Sequence, residues 1–286
     1  MDKFLFGAHQ FLWKQHWTDD DLEILDGARA LGLSVFEVSL GDDVSFTYQR
    51  LRRHAEELSL ELSIGPGNAW PMVCDISHDD PGYRTLGVAW HKEILDRAAE
   101  CGATAYCGAI YSHPGRVCRR PRSQDELQRA ADNLFLLAEH AASLNIRLVI
   151  EPMSRFRSHL INTASEALDL LKLAGHENIS INLDTYHMIT EERNYETAIT
   201  SVATWLWGLH ACENDRGVPG GGLVPWDQVA AGLKKVTHPV RLLLETYRTG
   251  AAGFGPERGI FKNLCPDPEE FVRQGIRFLT SIVSDQ

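Results

Sequence analysis

The sequence predicts an α/β protein built as a single (β/α)8 barrel, the TIM barrel fold, over residues 1–286. Short apolar segments alternate with longer segments of helical periodicity, and eight such units fit into this length. The first strand lies at the start of the chain, and no linker-like composition divides the chain. An open doubly wound sheet would also alternate, but the first turn lacks a GxGxxG motif.

The predicted strands are short runs rich in apolar, β-branched and aromatic residues. They lie near residues 4–8, 34–38, 60–64, 104–109, 146–151, 179–184, 206–211 and 240–245. Runs of this length, followed each time by a helical segment, are typical of buried parallel strands.

The helical segments between the strands carry start signals. Three residue pairs have the spacing of a capping box, in which two side chains satisfy the first free amides: Thr18 with Asp21, Ser123 with Glu126, and Thr163 with Glu166. Asp267 precedes a proline and two acids that suit the start of the last helix. A further helix is predicted near residues 194–202.

The charge and the cysteines exclude several classes of protein. With 28 Lys and Arg against 39 Asp and Glu, the net charge is −11, which argues against a nucleic-acid binder because such proteins need a basic surface. The six cysteines form no CxxC pair, as expected of reduced thiols. Neither a signal peptide nor a membrane-spanning run is recognised. We therefore expect a cytoplasmic protein that binds neither nucleic acid nor membranes.

Four successive strands end on side chains that can bind a metal. Glu151 follows the fifth strand, Asp184 the sixth and Glu245 the eighth, and His210 lies near the end of the seventh. In a TIM barrel these ends share one rim, where active sites form. Three carboxylates and one imidazole suit a divalent ion such as Mn²⁺, Mg²⁺ or Co²⁺.

Other polar residues follow the same strands. His187 lies three residues after Asp184, and Arg216 lies in the Gly-rich loop at 213–226, which could form a phosphate-binding nest or a mobile lid. The long Gly-rich segment from Thr246 to Pro266 is typical of a functional or disordered loop. Three histidines could border the pocket: His9, His16 and His113.

Three segments of the chain resemble one enzyme family. "LDTYHMITEE", "GLHACENDRGVPGGGLVPW" and "LLLETYRTGA" are similar to the matching segments of ketose 3-epimerases, which include D-tagatose 3-epimerase and D-psicose 3-epimerase and belong to the xylose-isomerase-like TIM barrels. The fourth-strand segment "CGAIYSHPG" is also similar, although it lacks the Trp usual there. The resemblance extends over nearly the whole chain and is most specific from 146 to 250.

The resemblance implies a metal-dependent isomerase of carbohydrate metabolism. Such an enzyme would invert C3 of a ketose of the D-tagatose, D-psicose or L-ribulose type, whether neutral, anionic or phosphorylated, by removing and returning a proton through an enediolate. Glu151, Asp184, His210 and Glu245 would bind one ion, most often Mn²⁺, and Glu151 and Glu245 would be the catalytic acid–base pair. His187 and Arg216 would hold sugar oxygens. A homodimer or homotetramer is expected.

Arg157 departs from the family pattern, because the related enzymes place a sugar-contacting glutamate there. An arginine reverses the local charge and would suit a phosphate or carboxylate on the substrate. Alternatively, Arg157 turns outward and pairs with a surface acid. We therefore expect Arg157 among the substrate-binding residues and leave open whether the sugar is neutral, anionic or phosphorylated.

Three other functions remain open. An aldose–ketose isomerase could use the same metal and carboxylates to move a proton between C1 and C2. A phosphodiesterase like endonuclease IV would need more histidine ligands and a basic groove, which the charge of −11 disfavours. A non-catalytic sugar-binding barrel is disfavoured by the four metal-competent strand ends.

Overall fold

The computed structural model describes residues 3–67, 69–248 and 254–284. Within these ranges no helix combines the length and the apolar character needed to cross a membrane. Residues 249–253, part of the long segment before Pro266, lie outside the described residues.

Eight parallel strands form a closed barrel in sequence order, and β1 pairs with both β2 and β8. The strands are β1 (Phe4–His9), β2 (Val35–Ser39), β3 (Glu61–Gly65), β4 (Ala105–Gly108), β5 (Arg147–Ile150), β6 (Ile179–Asp184), β7 (Leu206–Ala211) and β8 (Val240–Leu244). Their bounds agree with the predicted ones to within one residue, so the TIM barrel prediction is confirmed. Glu151 and Glu245 directly follow their strands instead of ending them.

Helices follow the strands and form the outer layer. They are α1 (Glu23–Ala30), α2 (Tyr48–Glu57), α3 (Pro81–Glu100), α4 (Gln124–Ser143), α5 (Ala164–Ala174), α6 (Thr185–Met188), α7 (Tyr195–Ser201), α8 (Trp226–Lys234), α9 (Phe254–Glu257) and α10 (Pro268–Ser284). Two short 3₁₀ turns, Gln10–Leu12 and Asp19–Asp21, precede α1.

The predicted start signals are present at the helix ends. Capping boxes form at Thr18, Ser123 and Thr163, the last two at the starts of α4 and α5. The carboxylate of Asp267 accepts a hydrogen bond from the Glu270 amide at the start of α10. The helix predicted near 194–202 corresponds to α7. Local side-chain hydrogen bonds thus decide where these helices begin.

Two hydrophobic cores position the site. The larger one packs the helices against the outside of the barrel. A smaller one, drawn from strand residues, fills the barrel interior and consists of Val35, Ala105, Cys107, Val149, Trp207 and Leu243. Because the interior is packed, the barrel itself has no room for a small molecule, and the strand ends with their loops form the rim at which one can bind.

Candidate active site

Four side chains from consecutive strands meet at this rim. Glu151 follows β5, Asp184 ends β6, His210 lies in β7 and Glu245 follows β8. One metal-competent atom of each lies within 4.8 Å of the others, and all four residues are buried. The parallel strands therefore bring together the four residues that the sequence indicated.

The imidazole of His210 lies between two of the acids. Its Nδ1 is 3.0 Å from Oε1 of Glu151 and 3.3 Å from Oε2 of Glu245. Asp184 uses Oδ1 to accept a hydrogen bond from the Tyr186 amide at 2.8 Å, which caps α6. Its Oδ2 is buried and has no hydrogen-bond partner among the described residues.

Arg216 supplies a buried cation to this acidic cluster. Its Nη1 donates to Oε2 of Glu245 at 2.6 Å and lies 2.8 Å from Oδ2 of Asp184, without hydrogen-bond geometry to the latter. Its guanidinium lies over the Tyr186 ring, 4.2 Å from the centroid. Arg216 has a φ of 71°, which is unfavourable for a non-glycine residue and places strain at the site.

Burial and charge shift the pKa values of the cluster in opposite directions. Burial raises the pKa of Asp184 to about 7 and also raises the pKa of Glu151. Burial alone would also raise the pKa of Glu245, but the charges of Arg216 and His210 hold this pKa well below the ordinary value. Burial disfavours the imidazolium of His210, yet the surrounding glutamates raise its pKa well above the ordinary value. The protein thus keeps several acids close together where water cannot screen them.

The cluster has the chemistry of a divalent metal site. Three carboxylates and one imidazole nitrogen suit ions of hard to intermediate character. Oδ2 of Asp184 is buried and accepts no hydrogen bond from the described residues, although it lies 2.8 Å from Arg216, which suits an oxygen that can act as a metal ligand. The residues present therefore fit one divalent ion, and Glu151, Asp184, His210 and Glu245 would hold it.

Glu37, which the sequence analysis did not single out, lies behind this cluster. Its Oε1 is 3.6 Å from Nε2 of His210 and 3.5 Å from Nε2 of His9, and its Oε2 accepts a hydrogen bond from Ser63 at 2.9 Å. A carboxylate beside the far nitrogen of a metal-ligating histidine fixes the orientation of its ring. Its place in β2, where a charged residue interrupts an apolar strand, was the available signal.

A cavity of about 200 Å³ is lined by Glu151, His210 and Glu245 of this cluster. Such a volume is small even for a ligand pocket and limits the occupant to a small molecule. The predicted residues His187, Arg216 and Arg157 line this cavity, as do His9 and His113. Trp70, Tyr247 and Arg258 are among the further lining residues that the sequence did not single out.

His16 and His187 have different surroundings. His16 is exposed and pairs with Asp43 at 2.9 Å, and it does not line the cavity. His187 is buried, and its Nε2 lies 3.5 Å from Nη2 of Arg216. Burial and the charge of Arg216 lower the pKa of His187 well below the ordinary value, so its ring is neutral and can donate or accept a hydrogen bond.

The Gly-rich loop at 213–226 closes around a carboxylate and does not form a phosphate-binding nest. The buried carboxylate of Glu213 accepts hydrogen bonds from the Gly220 amide, the Val224 amide and the Trp226 indole. These amides are therefore not available to bind phosphate. A side chain at position 222 would lie 2.5 Å from Oε2 of Glu213, so the glycine there allows the loop to close around the carboxylate.

Comparisons with known proteins agree with the geometry. A family model described as xylose isomerase-like TIM barrel matches residues 25–282. The chain is 28% identical to D-psicose 3-epimerase of Enterocloster bolteae, over 93% of this chain and 89% of that protein. It is 32% identical to 3-dehydro-D-guloside 4-epimerase of Escherichia coli, over 72% of this chain and 79% of that protein. A solved structure of L-ribulose 3-epimerase superposes with a TM-score of 0.91 at 25% identity, covering 98% of this chain and 94% of its own.

Proposed function

The chain belongs to the xylose isomerase-like TIM barrel family, and we propose that it is a metal-dependent ketose 3-epimerase. The observation that carries the proposal is the convergence of Glu151, Asp184, His210 and Glu245 within 4.8 Å, with three of them, Glu151, His210 and Glu245, lining a small cavity. The similarity to 3-epimerases of D-psicose and L-ribulose supports ketoses of this type as substrates.

In this proposal Glu151 and Glu245 move the proton at C3. Glu245 is held as a carboxylate by Nη1 of Arg216 at 2.6 Å and by the Tyr247 hydroxyl at 2.8 Å, so it can accept a proton. Burial raises the pKa of Glu151, which suits a group that carries a proton. Because epimerisation is reversible, the two acids exchange roles between the two directions.

The remaining residues bind the sugar and the ion. A divalent ion, most favourably Mn²⁺, would stabilise negative charge that develops on the substrate oxygens. We propose that Glu151, Asp184, His210 and Glu245 are its ligands. His187 and Arg216 would hold sugar hydroxyls, because both line the cavity beside the ligands.

The position of deuterium in the product tests this proposal. Metal-depleted protein, reconstituted with Mn²⁺, is incubated in D₂O with D-fructose, D-tagatose or L-ribulose, and the products are analysed by NMR. We expect a C3 epimer with deuterium at C3. Glu245→Gln should lose this activity, whereas Glu191→Gln, which removes an acid paired with Arg155 outside the cavity, should retain it.

The same experiment separates two alternative reactions. A 4-epimerase is the second candidate, favoured by the 32% identity to the E. coli 4-epimerase. It would be indicated by deuterium at C4 of an added 3-keto glycoside, in which C4 is next to the carbonyl, with no exchange at C3 of the 2-ketoses. Deuterium at C1 or C2 would indicate an aldose–ketose isomerase. Absence of exchange at any carbon of these ketoses and of D-fructose 6-phosphate, with metal bound, would contradict the proposed function.

We also propose a cytoplasmic homodimer or homotetramer. All six cysteines are free thiols, which suits a reducing compartment. Phe156 and Phe261, on loops after β5 and β8, are 73% and 80% exposed, and we propose that they lie in the subunit interface. Light scattering gives the oligomeric mass, and a monomer at micromolar concentration would contradict the assembly.

A further inference from the structure

Two arginines outside the proposed metal site line the same cavity. Arg157 lies in the loop after β5, and Arg258 follows α9. The Arg258 guanidinium lies 5.0 Å from the centroid of the Tyr247 ring and 5.7 Å from that of Phe11. A ligand held at the four-residue cluster and filling the cavity would therefore meet cationic side chains from two different loops.

Arg157 differs from the neighbouring arginines because its charge is not compensated. Arg216 is paired with Glu245 and Asp184. Arg155, two residues before Arg157, is exposed and forms an ion pair with Glu191. Among the residues described, no carboxylate lies within ion-pairing distance of the half-buried Arg157 guanidinium. Arg157 therefore does not turn outward to pair with a surface acid.

An uncompensated cation in a partly buried position is unfavourable for the free protein. Removing a guanidinium from water costs free energy unless a counter-charge replaces the lost hydration. Burial lowers the pKa of Arg157, and the charge of Arg258 lowers it further, because both destabilise the charged guanidinium. Anion binding at Arg157 would relieve both effects, whereas a neutral hydroxyl would relieve neither.

We propose that the substrate is an acidic ketose whose oxyanion, a phosphate ester or a carboxylate, is bound by Arg157 with the assistance of Arg258. The planar guanidinium of Arg157 offers two parallel N–H donors to either group. This inference rests on the proposed function, since the epimerised carbon would lie at the cluster of Glu151 and Glu245. The proposed anion site would contact the end of the sugar that lies away from this carbon.

Three ketoses that differ only at C6 test the proposal. D-Fructose, D-fructose 6-phosphate and D-fructuronate are compared by kcat/KM in the Mn²⁺ enzyme. We expect at least one anionic sugar to exceed D-fructose by about tenfold or more, as expected for one charge-assisted hydrogen-bonded pair. The preferred anion identifies the source of the oxyanion.

Variants of two neighbouring arginines show whether Arg157 causes the preference. In Arg157→Gln the ratio of anionic to neutral kcat/KM should fall about tenfold or more, and Arg157→Lys should retain part of it. Arg155→Gln, which removes the arginine paired with Glu191, should leave the ratio unchanged. A ratio that is the same in wild type and Arg157→Gln would overturn the proposal.

A binding measurement separates this proposal from the proposed reaction. The melting temperature of metal-depleted protein is measured with millimolar D-fructose 6-phosphate, D-fructuronate or D-fructose. An upward shift with an anionic sugar alone, absent in Arg157→Gln and present in Arg155→Gln, supports the anion site even if no ketose is epimerised. Epimerisation of D-fructose with no anion preference and no such shift would leave the proposed function intact and refute the anion site.

Discussion

The buried carboxylate of Glu213 is predicted to hold the loop that carries Arg216. It accepts hydrogen bonds from the Gly220 amide at 2.6 Å, the Trp226 indole at 2.7 Å and the Val224 amide at 3.2 Å. Hydrogen bonds to a charged group contribute about 1.5–3 kcal/mol each, so three sum to about 4.5–9 kcal/mol. Because the glycines allow the loop to relax and admit water, we expect Glu213→Ala to lower the free energy of unfolding by about 3–5 kcal/mol.

Urea unfolding, followed by tryptophan fluorescence and circular dichroism, measures this loss. Asp215→Ala is the matched control, because Asp215 lies in the same loop but is exposed and accepts a hydrogen bond from the Gly217 amide. We expect it to cost less than about 1 kcal/mol. If Glu213→Ala costs no more than the control, Glu213 does not hold the loop. Arg216 should also lose its contact with Glu245 in the variant, so turnover should fall more than in Asp215→Ala.

Three further predictions concern the metal site and the buried polar residues. Mn²⁺ at about 100 times its Kd should stabilise chelator-treated protein by about 2.7 kcal/mol, which corresponds to a rise of about 5–10 °C in Tm. A rise of equal size in Asp184→Asn would show that the ion does not bind at Asp184. Glu37→Gln should weaken metal affinity by about 10–100-fold in a metal titration, because the carboxylate lies beside Nε2 of His210; unchanged affinity would show that Glu37 does not orient that ring. Burial lowers the pKa of His91 from 6.5 to about 3, so the unfolded chain binds this proton more tightly and stability falls as pH drops below 6.5. Between pH 7 and pH 5 the loss of unfolding free energy, measured in urea, should be about 2 kcal/mol smaller in His91→Gln than in wild type, and equal losses would contradict this assignment.

Much of the fold could be predicted because it depends on local pattern. Apolar runs of strand length alternate with capped helical segments, and parallel strands must place their ends at one rim. The four residues Glu151, Asp184, His210 and Glu245 could therefore be grouped from their positions in sequence alone. Their grouping needs only the strand order, which the barrel fixes.

The orientation of loop side chains could not be predicted in this way. The sequence left two directions open for Arg157, and only the packed loops after β5 and β8 decide that it lines the cavity with Arg258. Glu37 is likewise distant in sequence from His210, which it approaches. Such contacts depend on the closure of the barrel, which no local pattern encodes.

The Gly-rich loop at 213–226 also shows the difference between what the sequence predicts and what the tertiary structure decides. Its composition indicated flexibility or phosphate binding, because glycine permits both. The tertiary structure instead places Glu213 where three donors converge on it. Thus the sequence alone determined the barrel and its four metal-competent residues at the strand ends, through periodicity and strand direction. The tertiary structure decided which charges are compensated, because compensation depends on distances between residues far apart in the chain.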